Sequence, residues 1–152
     1  MTTTANGLDE LRALAGRDLG RTDWLQVEQR RVDTFAEATD DHQWIHVDPE
    51  RAAAGPFGTT IAHGYLTLAL LIPLMTELLD VSGVRMSINY GLDKVRFPAP
   101  VPVGAKIRLH GRVASAEDVP GDGVQITVDF TIEIEGSPKP ACVARGVYRH
   151  YA

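Results

Sequence analysis

A chain of 152 residues, 44% hydrophobic and 23% charged, has the size and composition of one globular domain with a full core. Its formal charge of −5, with no run of lysine or arginine, argues against nucleic acid or an anionic membrane as the main partner. The lone Cys142 excludes an intrachain disulfide and fits a reducing cytosol, where it reads as a small core residue. The opening MTTTANG has no basic or apolar leader pattern, so a cytoplasmic location is expected.

Residues 1–7 are expected to form a loose tail on a single domain spanning 1–152. Leu8, Leu11 and Leu14 recur at helical spacing, and Gly16 suits the helix end. A strand is expected over roughly 21–27. Between Glu28 and Thr39 the apolar positions Val32, Phe35, Ala36 and Thr39 follow an amphipathic helix. Residues 40–47 show no period, and Asp48-Pro49 reads as an N-cap and first turn of a brief helix. The one long apolar segment, Ile61 to Asp80, is too short and too interrupted to span a membrane in the ordinary way. It predicts a central helix over about 62–80, kinked by Pro73.

After Ser82-Gly83 the period changes to two. Val84, Met86, Ile88 and Tyr90 alternate with polar residues, and the prolines of 98–102 break the ladder. Ile107 to Val113, Val124 to Ile134 and Ala141 to Tyr151 supply three further strands joined by turn sequences. Consecutive strands with short turns predict an antiparallel sheet whose apolar face covers the central helix, an α+β architecture.

Two segments could carry chemistry. In Thr39-Asp40-Asp41-His42-Gln43-Trp44-Ile45-His46, a turn would bring Asp41 and His46 together as a general acid–base pair. The spacing alone leaves open that Asp41 caps a helix and His46 is a buried polar residue. In Ile61-Ala62-His63-Gly64, the start of the buried helix offers free N–H groups for a developing oxyanion. Gly64 equally suits close packing by a strand. His63 reads as a structural histidine bonded within the loop, with a second catalytic imidazole as the alternative. The five histidines match no metal motif, and nucleotide-cofactor and GxSxG patterns are absent, so neither metal nor cofactor is expected. Lys94 and Arg96 are solvated charges or phosphate contacts.

Together these segments resemble the MaoC-like, R-specific enoyl-CoA hydratase family. The resemblance rests on Phe35 to Asp41, Gln43-Trp44-Ile45-His46-Val47-Asp48-Pro49, Arg51-Ala52, Phe57-Gly58, Ile61-Ala62-His63-Gly64, Asn89-Tyr90-Gly91 and Val95-Arg96-Phe97-Pro98, in the family's order and gaps. It implies a hot-dog fold, a sheet wrapped round a long helix, with Asp41 and His46 catalytic and the Gly64 N–H as oxyanion hole. It further implies an acyl-CoA thioester substrate, no separate cofactor and a homodimer. Tyr65, Ile72 and Arg96 are candidate substrate contacts, with core packing the alternative for Tyr65 and Ile72. The implied reaction is hydration of trans-2-enoyl-CoA to the (R)-3-hydroxyacyl-CoA. A thioesterase on the same fold and an auxiliary subunit of a heteromeric dehydratase are the rival readings. Two departures from the family pattern stand out: Asp40 replaces the glycine common before the catalytic aspartate, and Gln43-Trp44-Ile45 replaces Asn-Pro-Leu.

Overall fold

In the computed structural model, which describes residues 1–152, the chain runs β1 (Thr3–Asn6), α1 (Gly7–Arg12), β2 (Asp18–Arg21), β3 (Leu25–Gln26) and α2 (Gln29–Thr39). It continues through α3 (Trp44–Val47), α4 (Pro49–Ala53), α5 (Gly64–Ala69) and α6 (Leu71–Leu78). The strands β4 (Leu79–Ser82), β5 (Met86–Arg96), β6 (Lys106–Val119), β7 (Gly123–Ile134) and β8 (Cys142–Tyr151) follow. An antiparallel sheet is ordered β2-β6-β7-β8-β5, with β3 also pairing with β6. The strong alternation of 124–134 places β7 at its centre, and Val124, Ile126, Val128, Phe130 and Ile132 are buried against the helices. Each such side chain contributes about 1.5–3 kcal/mol of burial before the entropy of ordering is counted. Leu66, Leu70, Leu71, Leu74 and Leu78 supply the opposing face.

The central helix departs from expectation at both ends and in the middle. It begins at Gly64 and stops at Leu78, because Leu79 turns extended (φ −139°, ψ 120°) and opens β4. It is also divided at Leu70, three residues before Pro73. Pro73 cannot donate to the Ala69 carbonyl and its ring crowds that group, so the disruption falls one turn upstream of the proline. No helix is long and apolar enough to cross a membrane.

Residues 3–6 are not a loose tail. Strand β1 pairs in parallel with β4, from Thr3 opposite Leu79 to Asn6 opposite Ser82, and Ala5 is fully buried. The strand expected over 21–27 is split into β2 and β3 around the buried Thr22, whose N–H donates to the Leu109 carbonyl and whose hydroxyl accepts from the Leu109 N–H and donates to the Asp23 carbonyl.

A third difference concerns β5. Its partner β8 buries Cys142, Ala144, Tyr148 and His150, and Ser87 and Asn89 lie opposite His150 and Tyr148. Ser87 and Asn89 therefore lie on the inner face, while Met86, Ile88 and Tyr90 lie on the outer one. The alternation was correctly placed, but its apolar side points away from the helix.

Helix α2 ends as its sequence requires a turn. Val32 and Ala36 face the core, and Asp40 closes the helix in the left-handed region (φ 59°, ψ 22°). A side-chain-bearing residue there is strained relative to glycine. Asp40→Gly is expected to raise stability by about 1 kcal/mol, measured by chemical denaturation. An unchanged or lowered midpoint would show that the aspartate side chain offsets the strain.

Candidate active site

The turn after Asp40 redirects the chain so that Asp41 and His46, which a continuous helix would point apart, meet. The bend is extended by Gln43 and taken up by α3, a single turn whose His46 is buried. Asp48 then caps α4, its Oδ1 accepting from the Arg51 N–H at 3.0 Å, with Pro49 in the first turn as the sequence predicts. The Arg51 guanidinium lies 4.4 Å above the Trp44 ring and holds the outer side of this corner.

Residues 60–63 form a strap between this corner and the proline-rich segment. The Ile61 N–H donates to the Ile45 carbonyl (3.0 Å), the Ala62 N–H to the Val101 carbonyl (2.8 Å) and the Val103 N–H to the Thr60 carbonyl (2.9 Å). Gln29, at the start of α2, clamps the assembly from the side. Its amide donates to the His46 carbonyl at 2.8 Å and its carbonyl accepts from the Thr60 hydroxyl at 2.6 Å. Nothing in the sequence singles out Gln29, since its role depends on two segments that meet only in the fold.

Within this frame His46 Nδ1 lies 2.6 Å from the Ile61 carbonyl oxygen. A carbonyl can only accept, so Nδ1 carries the proton and Nε2 of the neutral ring is a free base. Burial, together with neighbouring His63, pushes the His46 pKa down against the pull of the Ile61 bond and Asp41. His63 is buried and its Nε2–H donates to the Asp41 backbone carbonyl at 3.0 Å, the structural bond expected of it. Its ring stacks on His46 with centroids 3.9 Å apart, and Phe35 packs against it at 4.8 Å.

The ligand atoms of Asp41, His46 and His63 all lie within 4.8 Å of one another. Each imidazole donates one ring N–H to a backbone carbonyl, which fixes both rings, and the two rings stack on one another. The arrangement leaves one His46 nitrogen free beside a carboxylate, a geometry for proton handling.

Gly64 opens α5 beside these groups. A Cβ there would come within 3.2 Å of the Phe97 ring, so the close-packing role of the glycine is realised. As the first residue of the helix, Gly64 also has an N–H with no intrahelical acceptor. His46, Gly64, Phe57, Thr67, Phe97 and Val101 are among the residues lining a cavity of about 350 Å³, within the range of small-molecule sites. Tyr65, Ile72 and Arg96 do not line it. Tyr65 is 74% exposed, Arg96 turns its guanidinium to the Val95 carbonyl, and Ile72 lies farther along the helix in a separate cavity. The largest cavity, about 720 Å³, runs along α2 and meets the cluster only through Phe35.

A curved antiparallel sheet wrapped on a broken central helix is the hot-dog fold. Residues 10–133 match the MaoC like domain, and the chain belongs to that family. It is 56% identical over 149 residues to "3-hydroxyacyl-thioester dehydratase Z" of Mycobacterium tuberculosis, an alignment covering 98% of this chain and 99% of the relative. Among solved structures, an Archaeoglobus fulgius protein described as a monoamine oxidase regulatory protein superposes with a TM-score of 0.80 at 22% identity, over 100% of this chain and 99% of the other. The (R)-hydratase of A. caviae involved in PHA biosynthesis gives a TM-score of 0.72 at 25% identity, covering 88% and 94%.

The buried imidazoles give stability a pH dependence. His46 and His150 both have pKa values held below the ordinary 6.5 by burial. The folded state then takes up protons less readily than the unfolded chain, so their contribution is complete above about pH 6.5 and is lost as pH falls through the lowered values. His42, raised by Glu37, acts in the opposite sense, but that pair is at the surface and screened. The melting temperature is expected to fall between about pH 7.5 and about pH 5.5. A melt that is flat or rises on acidification would contradict this account.

Proposed function

We propose that the protein catalyses the reversible, (R)-specific hydration of trans-2-enoyl-CoA to (R)-3-hydroxyacyl-CoA. The observation that carries this reading is a buried, neutral His46 whose Nε2 is free, beside the Asp41 carboxylate and the open N–H of Gly64. The relatives' dehydratase and hydratase names support the same reaction class.

Water held between Asp41 and His46 is the nucleophile. Asp41 removes one of its protons as the oxygen bonds to the β-carbon, and the π electrons move onto the thioester oxygen as an enolate. The Gly64 N–H donates to that oxygen, a contact that counts most in the transition state. As the enolate collapses, the proton taken up by Asp41 is returned to the α-carbon, with His46 helping to shuttle it, so hydroxyl and hydrogen both come from one water and Asp41 ends as the carboxylate. His46 Nε2 accepts from the water and aligns it, while the Ile61 bond keeps the ring in the required tautomer. CoA arrives as part of the substrate, and the scheme uses no further cofactor or metal.

The active species in this proposal is a homodimer. Strand β5 is one edge of the sheet, and Met86, Ile88 and Tyr90 on its outer face are exposed. A second copy joining along that edge would pair its open backbone groups and cover the apolar side chains.

Loss of the enoyl absorbance of crotonyl-CoA, followed by stereochemical analysis of the product, tests the reaction. Asp41→Asn and His46→Gln are each expected to lower kcat/KM by about 10²–10⁴-fold, the usual worth of a positioned acid–base group. Folded variants that retain wild-type rates would remove both residues from the mechanism. Release of free CoA thiol without hydration would make the protein a thioesterase instead.

A further inference from the structure

Before it reaches Leu92, the inner face of β5 carries Ser87 and Asn89, polar where the inner face of a packing strand is normally apolar. Two adjoining cavities, of about 240 and about 270 Å³, separate this strand from the central helix and share Ile72, Asn89 and Tyr148. Their helix wall is apolar, from Leu68 through Ile72 to Met75, and their strand wall includes Ser87 and Asn89. One polar group there has no partner. His150 is 6% exposed, its Nδ1 is 2.8 Å from Ser87 Oγ, and its Nε2 is buried without a hydrogen bond. Unpaired buried polar atoms are rare in native proteins because each forfeits its hydration.

The trough follows the helix face that starts at the active site: Gly64 lines the catalytic cavity, and Leu68, Ile72 and Met75, in successive turns on the same face, line the trough. From Gly64 to Thr76 the helix advances about 18 Å at about 1.5 Å per residue, so only a long chain anchored at Gly64 would reach His150. A plain hydrocarbon end would leave Nε2 facing methylene groups. An oxygen would pair it.

We infer that this trough receives the distal part of the acyl chain and that His150, held by Ser87, recognises a hydroxyl or carbonyl oxygen carried there. The inference rests on the acyl thioester reading above. It makes His150 and Ser87 specificity-determining residues, remote from the bonds that form and break, and it gives the polar parity of β5 a purpose. The substrate class it specifies is a long enoyl thioester oxygenated toward its far end.

Two trans-2-enoyl-CoA substrates of equal length test it, both long enough to pass Thr76, one with a plain alkyl end and one hydroxylated near the end. The wild-type kcat/KM is expected to favour the hydroxylated substrate by about tenfold, the discrimination of one hydrogen bond to an otherwise unpaired buried group. His150→Phe and Ser87→Ala should each bring that ratio toward one. Because both substrates are compared on one preparation, the ratio is independent of the fraction folded. A wild-type ratio of one or less, or a ratio unchanged in both variants, overturns the inference. Crotonyl-CoA, too short to reach His150, reports on the proposed reaction separately. If no thioester is turned over, calorimetric titration of the two long substrates makes the same comparison in Kd. A tenfold preference lost in the variants supports the pocket, and equal Kd values overturn it, whatever the chemistry proves to be.

Discussion

The hydrogen bond from His46 Nδ1 to the Ile61 carbonyl fixes more of the site than any other contact. It assigns the proton to one ring nitrogen and leaves the other as a base, a choice that an imidazole free in solution does not make. The same residue is held through its own N–H by Ile45, and its neighbour Ala62 by Val101. Tautomer, helix entry and the anchoring of the Asp41 loop through His63 therefore share one short strap. A displacement of Ile61 would disturb all three together.

Burial works with this bond. Desolvation opposes the imidazolium, so the ring stays neutral where an exposed histidine would be partly charged, and the stacked His63 adds to the effect. Asp41, by contrast, remains exposed at the edge of the loop. The carboxylate and imidazole thus differ in solvation while remaining close, the condition under which two titrating groups take separate tasks. Gln29 and Phe97 complete the arrangement without bonding to the acid–base side chains: Gln29 holds the His46 backbone carbonyl, and Phe97 packs on Gly64.

Features governed by local chemistry were legible in the sequence. The Asp48-Pro49 cap, the amphipathic α2 and the alternation of β7 depend on neighbours three or four residues away, or on strict period two. Asp41 and His46 were a weak pair by spacing and became specific only with the surrounding motif pieces. What escaped depended on distant partners. Thr3–Asn6 is short and polar, and becomes a strand because β4 offers an edge seventy-odd residues along the chain. The break at Leu70 lies one turn before the proline that causes it. In β5 the period was visible but its direction was not, because parity is set by pairing with β8 rather than by which side is more apolar.

That pairing also governs the order of assembly. β6, β7 and β8 form a meander whose hairpins close locally, but β5 joins only at β8, with Met86 opposite Tyr151. During synthesis the helix and β5 emerge before the strand they need, and the inner edge of the trough stays open until β8 has been made. Closing so long a loop is entropically slow, and an unpaired β5 with exposed Ile88 and Tyr90 is a template for wrong strand partners in the interval. The element that shapes the substrate trough is thus also the one most in need of protection while the protein folds.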